Sequence, residues 1–79
     1  MLVPLYGFLR GDTIGMVVLV HDHQTMADVA SVLQQAASTR VKPAPRAQVF
    51  VGGHAVSPSL TVKAAGLSAL DRVDVIQEN

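Results

Sequence analysis

The chain has 79 residues, enough for a single small domain spanning 1–79 and too few for a second. Six Lys+Arg balance six Asp+Glu, so the surplus of basic charge that nucleic-acid binding by phosphate neutralisation requires is missing. The absence of cysteine excludes a disulfide scaffold, a thiolate zinc site, an iron–sulfur cluster and a cysteine nucleophile. The longest unbroken apolar run, Met16–Val20, is five residues, whereas a membrane-spanning helix needs roughly 20. With no basic n-region ahead of an apolar stretch, the expectation is a cytoplasmic protein with neither a membrane nor a nucleic-acid partner.

Apolar residues make up 49% of the chain and charged ones only 15%, against about 25% in ordinary soluble domains. A domain this small hides only about 60% of the surface its unfolded chain exposes. Apolar side chains must therefore remain outside, and where they are contiguous they mark a partner surface.

In chain order, Val3–Leu9 is an apolar run ending at the turn signal Gly11-Asp12, and Ile14–His21 is a second strand rich in β-branched residues. Thr25 stands three residues before Asp28, a capping box with Asp in place of the usual Glu. Met26, Val29, Ala30, Val32, Leu33, Ala36 and Ala37 then recur at spacings of three and four, with Ser31, Gln34 and Gln35 assigned to the other side. This pattern predicts one amphipathic helix over about 26–38. Pro43 and Pro45 break the following connector. Gln48–Val51 and His54–Val56 form strands joined by Gly52-Gly53, a hairpin signal. Pro58–Leu67 suits one short helical turn ending at Gly66, and Val73–Ile76 is the last strand.

The order β-β-α-β-β-β predicts an α+β domain in which one helix packs on one face of a mixed sheet. It resembles the β-grasp, or ubiquitin-like, arrangement. Such a sheet should alternate apolar and polar residues, yet this one does not. Phe50 and Ile76 point away from Val49, Val51, Val73 and Val75. The second strand is apolar on both parities, and in the first strand Leu5 and Leu9 oppose Tyr6 and Phe8. If the valines meet the helix, Phe50 and Ile76 lie on the outer face, at positions matching the apolar recognition face of ubiquitin. Either that face docks a larger protein, or loops and the N-terminal segment cover it. Arg40, Lys42 and Arg46 place half of the basic residues in the connector, where they serve a partner interface or a solvated loop.

Recognisable reaction chemistry is sparse. His21-Asp22-His23 has the residue types of a metal site but no third histidine nearby, and is read first as a loop. Ser, His and Asp occur in no nucleophile-elbow spacing, and Gly52-Gly53 precedes a strand rather than a phosphate-binding helix. A di-iron carboxylate centre needs several Glu and Glu-x-x-His motifs on a four-helix bundle; this chain has one Glu, Glu78. No catalytic, cofactor or metal residue is assigned.

Taken together, several pieces resemble the small B (gamma) subunit of bacterial toluene-type multicomponent di-iron monooxygenases. They are Phe8…Gly11-Asp12, the aliphatic second strand, Thr25-Met26-Ala27-Asp28-Val29-Ala30, Arg40-Val41…Pro45-Arg46, Thr61–Leu67 and Val73-Asp74-Val75. The Lys42-Pro43 step lengthens the connector relative to that family. The resemblance implies a ubiquitin-like subunit without iron or catalytic residues, attached to a large hydroxylase chain that carries the di-iron centre, in a system oxidising aromatics or alkenes. A ubiquitin-like component of type VII secretion has a similar outline. A sulfur carrier of the β-grasp class would need a C-terminal Gly-Gly, whereas this sequence ends Ile76-Gln77-Glu78-Asn79.

Overall fold

The computed structural model describes residues 1–78. It contains β1 (Leu2–Leu9), β2 (Gly15–His21), α1 (Met26–Ala36), β3 (Arg46–Val51), β4 (His54–Ala55) and β5 (Arg72–Glu78). The five strands make one sheet in the order β2-β1-β5-β3-β4. Its last strand lies in the middle, parallel to β1 and antiparallel to β3. The expected α+β, ubiquitin-like architecture is the one observed.

Alternation sorts the strands. Val3, Leu5 and Leu9 of β1, Val18 and Val20 of β2, Val49 of β3, and Val73 and Val75 of β5 are buried beneath Met26, Val29, Ala30 and Leu33 of α1. Each such aliphatic side chain contributes about 1.5–3 kcal/mol when fully withdrawn from water. Gly7 shares the covered parity and lies under the helix: a Cβ added there would come within 2.7 Å of Leu33 Cδ1. The helix sits close to the sheet because this position has no side chain.

The capping box forms as expected. Asp28 N–H donates to Thr25 Oγ1 at 3.3 Å, and Thr25 N–H donates to Asp28 Oδ2 at 3.0 Å, satisfying two orphan amides at the helix start. The helix ends at Ala36, earlier than the expected 38, because Ala37 already adopts a capping geometry with φ −91° and ψ 2°. Two assignments on it are corrected. Ala36 is exposed, and Gln34 is buried at 6%. Gln34 follows Ala30 by four residues and so shares its face. Its Oε1 accepts from Ala44 N–H at 2.7 Å and from Gln77 Nε2 at 2.8 Å, tying connector and last strand to the helix.

β3 and β5 are longer than the sequence suggested, since Arg46↔Glu78 and Ala47↔Gln77 extend their pairing. β4 keeps only two residues. Gly52 and Gly53, at φ +58° and +81°, supply the two positive-φ positions of a tight hairpin turn. The Pro58–Leu67 segment contains hydrogen-bonded turns rather than a helix. Its backbone is held by Val62 N–H and Lys63 N–H donating to the carbonyls of Gln24 and Asp22.

Replacing Gly7 by Val should overpack the contact with Leu33. We expect a loss of about 1–3 kcal/mol in urea-unfolding free energy. A neutral Gly7→Val would mean that α1 is free to lift from the sheet.

Candidate functional site

Opposite the helix, the sheet presents Leu2, Pro4, Tyr6 and Phe8 from β1, Val17 and Leu19 from β2, Arg72, Asp74 and Ile76 from β5, and Gln48 and Phe50 from β3. The register fixes how these meet. Leu19 lies across from Pro4, and Val17 from Tyr6. Asp74 lies between Phe8 on one side and Phe50 on the other. Ile76 lies across from Gln48, one diagonal step from Phe50. Phe50 and Ile76 therefore share the outer face, both half-buried. With Phe8, Arg10, Gly53 and Asp74 they line a shallow cleft of about 410 Å³.

The centre of the face is held by charge and aromatic contact. Arg72 donates to Asp74, Nη2 to Oδ1 at 3.0 Å and Nε to Oδ2 at 3.2 Å. The hydrogen bond to Asp74 raises the Arg72 pKa, and the guanidinium carries its charge as arginine always does. That guanidinium lies 4.1 Å from the centroid of the Phe8 ring, a cation–π geometry. Tyr6 and Phe8 have ring centroids 4.8 Å apart and lean over Gly15, where an added Cβ would come within 2.6 Å of Phe8. Phe8 is thus roofed by its neighbours.

The most exposed large apolar side chains on this face are elsewhere. Leu2, Tyr6, Val17 and Leu19 form one strip on β1 and β2, running from 43% exposed at Tyr6 to 61% at Leu19. Leu70, also 61% exposed, adjoins the strip: its N–H donates to Pro4 C=O at 2.6 Å. Leu70 has φ +63°, a left-handed conformation that costs a branched residue about 1–3 kcal/mol. The sequence signal for the strip was the double-parity apolar pattern of the second strand, which leaves one set of residues uncovered. It did not say which set.

The connector residues do not join Phe50 and Ile76. Arg40 grips Asp12 of the β1–β2 turn, Nε to Oδ1 at 2.8 Å and Nη2 to Oδ2 at 3.0 Å, and Nη2 lies 3.1 Å from Met16 Sδ. The Asp12 side chain is 1% exposed beneath it. Arg40, expected as a partner contact, is thus committed within the chain. Its two-pronged geometry suits a carboxylate, and Asp12 is brought to it by the turn. Lys42 has an exposed side chain, while its carbonyl accepts from Gln77 Nε2 at 2.7 Å. Arg46 opens β3 across from Glu78, and lines a different cleft with Ala27 and Ser31 of the helix.

In the His21-Asp22-His23 segment, His21 ends β2 and Asp22-His23 begin the connection to α1. Its two imidazole rings lie 5.1 Å apart. Asp22 Oδ1 accepts from the N-terminal ammonium at 3.2 Å, and His21 N–H donates to Gln24 Oε1 at 2.7 Å. His54 stands on β4, at the opposite edge of the sheet. Among the described residues no group of three or more His, Cys, Asp or Glu is close enough to hold a metal ion.

Comparison with known proteins places this geometry. Residues 2–76 match the family described as toluene-4-monooxygenase system protein B (TmoB). The chain belongs to this family. Among solved structures, it is similar to a chain of the toluene 4 monooxygenase HD complex with the inhibitor 4-bromobenzoate. That match has 22% identity and a TM-score of 0.86, covering 99% of this chain and 100% of the other. It is also similar to Caldiarchaeum subterraneum ubiquitin, with 14% identity, TM-score 0.78, and coverage of 100% and 96%. The UBL domain of Plasmodium falciparum Dsk2 matches with 10% identity and TM-score 0.79, covering 99% and 100%. At these identities the structural likenesses establish the ubiquitin-like fold. No curated protein sequence matches the chain. No helix among the described residues is long and apolar enough to cross a membrane.

The Asp12–Arg40 pair of this TmoB-family chain gives a pH dependence of defined sign. The hydrogen bond from Arg40 lowers the Asp12 pKa below its ordinary value of 3.8. A carboxyl depressed in the native state contributes stability that is present above the unfolded value and lost as pH falls through the native one. Thermal unfolding from pH 6 down to pH 2 should therefore fall more steeply for the native chain than for Asp12→Asn, with the difference appearing below about pH 4. Parallel curves would mean that the pair contributes nothing to folding.

Proposed function

We propose that this chain is a non-catalytic accessory (B, or gamma) subunit of a multicomponent di-iron monooxygenase hydroxylase oxidising aromatic or alkene hydrocarbons in the cytoplasm. It docks on the large hydroxylase chain, which holds the di-iron centre. The observation that carries this reading is family membership across residues 2–76. Its physical support is a sheet with a single covering helix and apolar side chains on the uncovered face.

The chain's contribution is binding. Phe50 and Ile76 offer the partner an apolar cleft whose floor is fixed by strand register, so little ordering is needed on association. The Arg72–Asp74 pair at its border sets orientation, since mismatched charge there would be desolvated without a partner. Lys42 and Arg46, which make no ion pair among the described residues, stand as rim charges that steer encounter. Arg40 acts indirectly by bracing the β1–β2 turn.

Affinity purification of the tagged chain from its native host should retain a large chain bearing paired Glu-x-x-His motifs in near-stoichiometric amount. Phe50→Asp should weaken that retention at least tenfold while the free variant keeps its circular dichroism and unfolding temperature. Recovery of no such chain with the native sequence would remove the assignment. Unfolding of the free Phe50→Asp variant would make Phe50 a core residue instead.

A further inference from the structure

We infer that the strip formed by Leu2, Tyr6, Val17, Leu19 and Leu70 is the principal contact of this chain with the large hydroxylase chain, and that the Phe50–Ile76 cleft continues it. The inference rests on the docking reading above and moves the main contact from the Phe50–Ile76 cleft to the strip on β1 and β2.

Three observations converge on the strip. It is contiguous and its own residues are uncharged, with the Arg72–Asp74 pair at its border: Leu19 faces Pro4, Val17 faces Tyr6, and Leu70 is hydrogen-bonded to Pro4. No other described segment crosses it, since its side chains remain 43% to 61% exposed. It also borders β2, an edge strand of seven residues, Gly15–His21, without Lys, Arg, Asp, Glu or Pro. Edge strands that stay in water are ordinarily shortened or defended by charge or proline. The opposite edge, β4, has only two residues, so the unprotected edge and the apolar strip fall on the same side. Third, Leu70 holds a left-handed backbone, φ +63°, while its side chain projects into solvent. Strain of this kind concentrates at binding sites, and folding alone gains nothing from an exposed leucine there.

Family membership and area together favour a larger partner over a second copy. Five half-exposed side chains amount to roughly 500 Å², at the upper range of patches found on monomers. Two copies meeting strip to strip would bury about 1,000 Å² in total, short of the roughly 1,200–2,000 Å² of stable specific interfaces. Two copies paired edge to edge through β2 would form one continuous sheet and leave both strips in water. The occupant is the large hydroxylase chain expected for the family to which residues 2–76 belong, which can cover the strip, the β2 edge and the adjoining cleft at once.

The test uses the hydroxylase complex purified with this chain in its native form, with Leu19→Asp, and with Leu70→Asn. Asn tolerates the left-handed backbone, so Leu70→Asn removes the apolar side chain without straining the fold. The expected result is loss of at least nine-tenths of the bound chain with Leu19→Asp and a several-fold loss with Leu70→Asn, both free variants unfolding within a few degrees of the native chain. Tyr6, the single tyrosine of this chain, gives a readout without substitution. Its nitration by tetranitromethane should be suppressed in the complex and restored on release. Full retention of both variants, or undiminished Tyr6 nitration in the intact complex, overturns the inference while leaving the docking reading in place. A free chain that sediments as a dimer and is split by Leu19→Asp assigns the strip to a second copy and also overturns it. Failure of the native chain to associate with any large hydroxylase chain removes both.

Discussion

Leu33 of the helix lies directly over Gly7 of the sheet, and the rest of the structure is arranged around that contact. The leucine occupies space that any side chain at position 7 would claim. That places α1 over the middle of the sheet, where Leu5, Val73 and Val75 are fully buried beneath it. With α1 centred, its ends are placed as well. The capping box at Thr25 starts it beside the Thr61–Lys63 segment, and Gln34 meets the connector and β5 at the other end.

A single helix of eleven residues can cover only one face of five strands. The unusual composition, half apolar and sparsely charged, is the consequence seen from the sequence. The uncovered face divides into regions of different character. Phe8 is shielded by Tyr6 and by the Arg72 guanidinium, itself fixed by Asp74. Phe50 and Ile76 border a shallow cleft, and β1 and β2 carry an open strip. Desolvating such a strip is favourable in proportion to its area. Apolar residues retained there make sense in a chain that works by being bound, in keeping with its membership of the TmoB family.

Much of this was legible in the residues. Thr25 and Asp28 marked the helix start because a capping box is a local device of four residues. Gly52-Gly53 marked a hairpin because two positive-φ positions favour glycine. Phe50 and Ile76 were placed on the outer face by alternation alone. The Arg40 ion pair was not legible because its partner, Asp12, lies 28 residues earlier and is brought near only by the fold. Gln34 was set on the wet side because its polarity was weighed above its spacing from Ala30. The strip escaped notice because β2 is apolar on both parities, a pattern that shows an excess without showing its direction.

The sequence by itself determined the elements, their order and the family resemblance, since these follow from local propensity, period and composition. Only the tertiary structure decided that β5 inserts between β1 and β3, that Arg40 braces a turn, and which face of β2 is left bare. Each of those depends on contacts between residues far apart in the chain, whose meeting is set by the packing of one helix on one side of the sheet.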